Sequence, residues 1–339
     1  MNLWWLVLTV FVVSLGLTLV LRRYALVQSL MDVPNERSSH SVPTPRGGGV
    51  AIVIAFALAL PLLLYLDLVA VHVLYGLLGA GLIVAVIGFA DDHRHIPVRW
   101  RLLGHFAAAS WALFWFRGLA PVQFFDAPID LGLIGNIFAL FYLVWMLNLY
   151  NFMDGIDGLA SVEAISVCLS ICLIYWLCGT LQLIWPALIL ASAVGGFLFW
   201  NFPPARIFMG DAGSGFLGLV LAALALQAMW TESNLLWSWL ILLGVFIIDA
   251  TWTLMRRLMR GDKIYQAHRS HAYQLASRSF DSHLKVVSAV LAINVVWLLP
   301  LAFMVACGLI SGPIGLFIAY TPLAMLAYKL RAGAPETIA

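Results

Sequence analysis

The chain has 339 residues, 63% of them hydrophobic and 10% charged, with a formal net charge of +2. A soluble domain carries about 25% charged residues and has no core able to hide this much apolar surface, so a water-soluble enzyme, a disordered chain and a coiled coil are excluded. The apolar runs are unbroken and close to the ~20 residues that carry a helix across ~30 Å of hydrocarbon, unlike the alternating ~10-residue segments of a membrane barrel.

Eleven such runs follow one another, at about 3–21, 50–66, 69–90, 102–118, 131–150, 159–178, 183–200, 214–230, 235–254, 286–307 and 310–328. They predict an all-α, polytopic integral membrane protein with one domain over 1–339. The first run opens MNLWWLVLTV with no basic leader and no small-residue cleavage site, so it is expected to stay as a span. Lys and Arg crowd alternate connections: four in 22–49 (including Arg37), three in 91–101, one in 201–213, seven in 255–285 (including Lys263) and two after 328, which is 17 of 18. Only Arg117 falls on the other side. Positive charge stays cytoplasmic, which predicts an odd number of spans with the N-terminus outside and the C-terminus in the cytoplasm. The same inner connections hold His40, His93, His95, His268, His271 and His283. Cys168, Cys172, Cys178 and Cys307 show no C-x-x-C or Cys/His metal spacing and read as small packing residues, not as a disulfide framework or a zinc site.

Four inner segments carry polar chemistry. In GFADDHRHIPVRWR, Asp91 and Asp92 are adjacent carboxylates that need a cation or proton nearby; Mg²⁺ takes one or two carboxylates plus substrate phosphates. In NLYNFMDGIDGLA, Asn148, Asn151, Asp154 and Asp157 recur every three residues and share a helix face, with no basic residue in 151–158. In FPPARIFMGDAGSGFLG, Asp211 precedes a glycine-rich helix start, a ready site for phosphate beside a metal-binding carboxylate; its formal G-x-G-x-x-G lacks the strand–helix–strand setting of a dinucleotide fold. RRLMRGDKIYQAHRSHAYQ carries net +4 over 256–274, suited to anionic lipid or to a cationic lid over a polyanion. Asp249 and Glu163 lie inside spans, and Asp249 is expected to snorkel towards Arg256.

The stretches DVPNERSSHSVPTPRGGG, GFADD, NLYNFMDGIDGLA, FPPARIFMGDAGSG and the His268/His271 loop occur in order over residues 32–274. In this the chain resembles the polyprenyl-phosphate N-acetylhexosamine-1-phosphate transferase family, the MraY/WecA-like enzymes. The resemblance implies a UDP-N-acetylhexosamine donor, an undecaprenyl phosphate acceptor, UMP as product, and Mg²⁺ (or Mn²⁺) as cofactor. It implies that Asp211 holds the metal with help from Asp91, and that Asp91, Asp92, Asp154, His268 and His271 are catalytic. Asn151 belongs near the diphosphate; Asp157, Asn201 and Phe208 resemble a nucleoside pocket; Arg46, Arg101 and Arg269 are expected to hold phosphate oxygens. Ser270 stands where relatives carry a histidine, and the AHRSHAYQ form looks most like the WbpL-like enzymes that start O-antigen chains.

The partners expected are therefore a soluble diphosphate donor and a membrane lipid, with no nucleic acid; a homodimer is allowed but not specified. A secondary transporter of an anionic solute is the alternative of a different class, but its coupling carboxylates belong near the bilayer midplane and its halves repeat. Another lipid phosphotransferase, using CDP-activated donors, would carry a D-G-x-x-A-R motif, whereas Asp157 opens D-G-L-A-S.

Overall fold

The computed structural model describes residues 3–34, 42–94, 96–125, 127–262 and 268–335. Arg37, His40, His95 and Lys263 lie outside the described residues. Long apolar runs leave the backbone no partner but itself in lipid, so the chain is helical almost throughout. The helices are α1 (Trp4–Val27), α2 (Val50–Tyr65), α3 (Val71–His93), α4 (Val98–Phe116), α5 (Gly132–Met153), α6 (Leu159–Leu177), α7 (Ile184–Asn201) and α8 (Asp211–Ala228). Then come α9 (Asn234–Leu242), α10 (Gly244–Met259), α11 (Ala272–Phe280), α12 (His283–Ala292), α13 (Leu299–Ala306) and α14 (Gly312–Lys329). Two minimal antiparallel ladders occupy connections: Met31–Asp32 with Thr44–Pro45, and Val122–Phe124 with Ala127–Ile129.

Each of the eleven expected spans has a helix at its place, some of them interrupted. Seven helical units are long and apolar enough to cross a membrane. The pair α9 and α10, bent by 71°, makes an eighth if it is one span. Of the remaining three, α2 has only 16 residues. The other two, α4 with Arg99 and Arg101, and α14 with Pro322 inside it, are long enough but less apolar. The span α12–α13 is continuous through a π-helical turn at Ile293–Leu298. Pro300 follows that turn; its missing N–H and bulky ring disturb the α-helical ladder one turn earlier.

Helix α8 is the bundle's axis: 89% of its apolar window is buried, against 22% for α1 at the periphery. Helices α3 and α5 pack on it closely because small residues face the contact. A Cβ at Gly88 of α3 would sit 2.5 Å from the Ala212 nitrogen, and one at Gly218 of α8 would sit 2.4 Å from the Met146 carbonyl oxygen of α5. The ends of α3 and α5 and the start of α8 thus converge, and so do the aspartates they carry.

Candidate active site

Asp91 and Asp92 close α3 and point in different directions. Asp91 takes the backbone N–H of Ile96 at 2.6 Å and pairs with Arg101 of α4. The same Arg101 Nη1 lies 3.3 Å from Asp211 Oδ2 at the start of α8. One guanidinium therefore bridges two carboxylates from separate helices. Its Nε–H is buried and has no partner among the described residues.

Asp92 turns inward. Its two oxygens accept the backbone N–H groups of Asp211 and Ala212, at 3.2 and 3.4 Å. It is the cap of α8, satisfying two of the orphan donors a helix start exposes. This corrects the expectation of a phosphate site at the start of α8, which already has its anion in Asp92. Nor do the glycines of that start cradle a phosphate: Gly213 abuts the Cα of Gly49, and Gly215 and Gly218 face Val84 and Met146.

Asn151, at the end of α5, donates to Ser214 Oγ at 3.1 Å and also reaches the Asp211 carboxylate. Asp154 follows where α5 ends. Its carboxylate accepts no hydrogen bond from the described residues. Removal from water, then the charges of Asp211, Asp92 and Asp157, push its pKa well above the usual carboxylate range. So negative charge accumulates around Asp211, with Asp91 beside it and Asp154 within reach of its field. Among the described residues no three His, Cys, Asp or Glu groups are spaced as a complete metal cage. The Asp91–Asp211 pair is nonetheless the donor set Mg²⁺ takes when substrate phosphates and water complete its shell, and the surplus charge around it suits a divalent cation.

The expected nucleoside residues do come together, but spend their polar atoms on the fold. Asn201, 3% exposed, accepts from Gly158 N at 3.1 Å and Ser161 Oγ at 3.3 Å and donates to the Ile207 carbonyl at 3.1 Å. It ties the start of α6 to the 202–210 loop. Asp157 accepts from Ala205 N at 3.0 Å and lies 3.2 Å from His283 Nδ1 of α12. Asn201 and Asp157 thus clamp the 202–210 loop to the start of α6. Phe208 is half-buried, its backbone laced to Pro45 at 2.8 Å and Gly48 at 2.9 Å. Arg46 donates to the Asp92 carbonyl oxygen and so joins this loop to α3.

The histidine segment comes from the far side. His268 and His271 stack with ring centroids 4.9 Å apart. His271 Nδ1 lies 3.3 Å from Asp249 Oδ1. Asp249 also accepts Ala272 N at 2.8 Å, Tyr273 N at 2.9 Å and Thr253 Oγ1 at 3.2 Å. It caps α11 and orients His271; the expected snorkelling pair with Arg256 is absent, and Arg256 instead donates to the Ala332 carbonyl at 3.1 Å. Arg269, beside them, accepts through its carbonyl from Arg278 at 3.0 Å. Asp249 and His283 are the residues a reading by motif passes over. For Asp249 the signal was there: a carboxylate inside an apolar span needs a partner.

A groove of about 660 Å³ joins these parts. Its polar end holds Arg101, Asn148, Asn151, His268 and His271; Leu102, Phe106, Phe141 and Trp145 line the rest. Leu102 and Phe141 are 41% and 57% exposed on the flank where lipid would lie. A smaller recess of about 40 Å³ reaches Asp91, Asp211 and His105 from the same side.

A multi-span helical bundle with carboxylates and cations gathered at one end, beside a groove open along its side, defines a membrane-embedded enzyme for a substrate that is part lipid. Residues 74–229, from α3 through α8, match the family described as glycosyl transferase family 4. The chain is similar to a Bacillus subtilis protein named "Probable undecaprenyl-phosphate N-acetylglucosaminyl 1-phosphate transferase", 29% identical over 280 residues, 79% of this chain and 76% of that one. It is also similar to the phospho-N-acetylmuramoyl-pentapeptide-transferase of Streptococcus pneumoniae, 31% identical over 212 residues. That match spans 59% of this chain and 61% of the relative. These likenesses agree with the motifs at residues 88–92, 148–160 and 202–215, which resemble those of the polyprenyl-phosphate hexosamine-1-phosphate transferases.

Proposed function

We propose that this protein transfers an N-acetylhexosamine 1-phosphate from a UDP-sugar to undecaprenyl phosphate, releasing UMP, at the cytoplasmic face of a bacterial inner membrane. The step would initiate O-antigen or a related envelope glycan. The observation that carries the reading is Arg101, which holds Asp91 and Asp211 together, keeps Nε–H unpaired, and stands at the polar end of an apolar groove. The names of the relatives, both transferases of sugar phosphates, support the same chemistry.

The groove separates the two halves of the acceptor. The polyprenyl chain lies along Phe106, Phe141 and Trp145 and exits between α4 and α5 into lipid. Its phosphate meets Arg101 and Asn148. The donor diphosphate enters from water towards Asn151, with His268 and His271 on the opposite wall. An acceptor phosphate oxygen forms a bond to the sugar-bearing phosphorus, while the bond from that phosphorus to the UMP oxygen breaks. Asp91 faces the acceptor and takes its proton where that phosphate arrives protonated. Mg²⁺ held by Asp211 and Asp91 would offset the charge of the diphosphate and of departing UMP. Asp92 and Asp249 touch neither substrate; they fix Asp211 and His271.

The test is UMP release by detergent-solubilised protein, with the lipid product identified by mass spectrometry over a panel of UDP-N-acetylhexosamines. Turnover should require UDP-sugar, lipid phosphate and Mg²⁺ together. Asp211→Asn and Arg101→Met should each lower it by at least about 10²-fold, the cost of removing one preorganised charge contact, with unchanged elution on size exclusion. Normal turnover in Asp211→Asn rejects the metal assignment. Solute uptake without lipid product supports the transporter instead.

A further inference from the structure

Cys178 and Cys307 lie 129 residues apart in sequence, yet their Sγ atoms are 3.3 Å apart. They sit at the end of the bundle away from the carboxylates. Helix α6 starts beside Asn201 and Asp157, runs the length of the bundle and ends at Cys178. The α12–α13 span starts at His283, which holds Asp157, and ends at Cys307. The two cysteines are presented in the same way. Each is the C-cap immediately after its helix and each is followed by a glycine with positive φ, Gly179 at +77° and Gly308 at +69°. In both turns the residue after the glycine donates back to the helix, Thr180 to Tyr175 and Leu309 to Met304, each at 2.9 Å. This is the Schellman arrangement, which needs a residue without Cβ at the left-handed position. Two stiff caps thus aim two thiols at each other. Cys178 is partly exposed and Cys307 exposed, whereas Cys168 and Cys172 are buried in α6.

We propose that Cys178 and Cys307 form a disulfide that ties the end of α6 to the end of α13, made by exchange with a protein disulfide in the compartment opposite the active site. That compartment is the oxidising one if the basic connections are cytoplasmic, so the proposal rests on the orientation given above. The exposed Cys307 thiolate attacks the oxidant's disulfide and forms a mixed disulfide, releasing the first oxidant sulfur as a thiol. Cys178 then attacks the Cys307 sulfur and releases the second. Two protein thiols become one disulfide, and the oxidant's disulfide becomes a dithiol that takes up both protons and both electrons. The sulfurs need only close from 3.3 Å to the ~2.05 Å of an S–S bond. Cys307 is the more exposed of the two thiols, so attack begins there.

The test uses the full chain in detergent, treated with oxidised glutathione, alkylated in denaturant and weighed intact. The expected product is ~2 Da lighter before alkylation, takes up two alkyl groups in place of four, and yields one cross-linked peptide joining residues 178 and 307. Cys178→Ser and Cys307→Ser should each abolish the cross-link and leave UMP release unchanged. Unfolding temperature should rise on oxidation and return with dithiothreitol. Four alkylated thiols after oxidation, or a bridge to Cys168 or Cys172, overturns the proposal. Orientation is read separately, with a membrane-impermeant maleimide on whole cells carrying Cys178→Ser. Labelling of Cys307 from outside supports the compartment; labelling only in inverted vesicles overturns it together with the orientation, whatever the activity assay gives.

Discussion

The backbone N–H of Asp211 donates to Asp92 Oδ1 at 3.2 Å, so the second of two adjacent aspartates is a helix cap, while the first pairs with Arg101 at the small recess. Neighbours on a helix point about 100° apart; Asp91 therefore faces α4 and Asp92 faces α8. Replacing Asp92 with Ala should lower stability by about 1–2 kcal/mol, the usual cost of a lost cap, and lower turnover by displacing Asp211. Asp91→Asn, which keeps an acceptor for the Ile96 N–H, should leave thermal unfolding near wild type and abolish UMP release. Equal unfolding temperatures with equal activity loss would contradict this division.

His271 depends on Asp249. A proton on Nδ1 is donated to Asp249 Oδ1 at 3.3 Å, which leaves Nε2 as acceptor. Asp249→Asn keeps an acceptor for the start of α11 but no longer fixes that tautomer. A fall in kcat of roughly 10–100-fold with little change in KM is expected, as for other groups that orient a functional histidine. Asp249→Ala should also destabilise by about 1–3 kcal/mol, because the N–H groups of Ala272 and Tyr273 lose their acceptor.

Asp154 predicts a pH dependence. Its folded-state pKa is raised, by burial first and then by Asp211, Asp92 and Asp157. Between the unfolded carboxylate value of about 4 and the raised folded value, the native state binds more protons than the unfolded one, so stability falls as pH rises through that window. In chelator, the unfolding temperature should decline with pH and be restored by Mg²⁺. Asp154→Asn should flatten the decline and weaken the Mg²⁺ response, measured by differential scanning fluorimetry in detergent.

Inside the bundle, Asn294 Nδ2 donates to Glu163 Oε2 at 2.7 Å and to Ser166 Oγ at 2.8 Å. Glu163 Oε1 and Asn294 Oδ1 have no partner among the described residues; a proton on Glu163 would join them. Glu163→Gln supplies that donor permanently and should unfold at the wild-type temperature. Asn294→Leu strands the acid and should destabilise by about 1–2 kcal/mol, read from denaturation in mixed micelles.

The sequence alone determined the helical membrane class and the order of its spans, because hydrocarbon thickness fixes how long an apolar run must be, whatever its neighbours. It also marked Asp91, Asp154, Asp211, Arg101 and His271, since polar groups at span ends stand out against so apolar a chain. Tertiary structure alone decided which groups each of them touches. Asp92, Asn201, Asp157 and Asp249 carry the same donors and acceptors as any site residue, and local spacing cannot tell a ligand-facing carboxylate from one that caps a helix 119 positions away. Nor does spacing show that Cys178 meets Cys307 across 129 residues. Hydrogen bonds and thiol contacts act over about 3 Å in space, and only helix packing sets which distant residues come within that range.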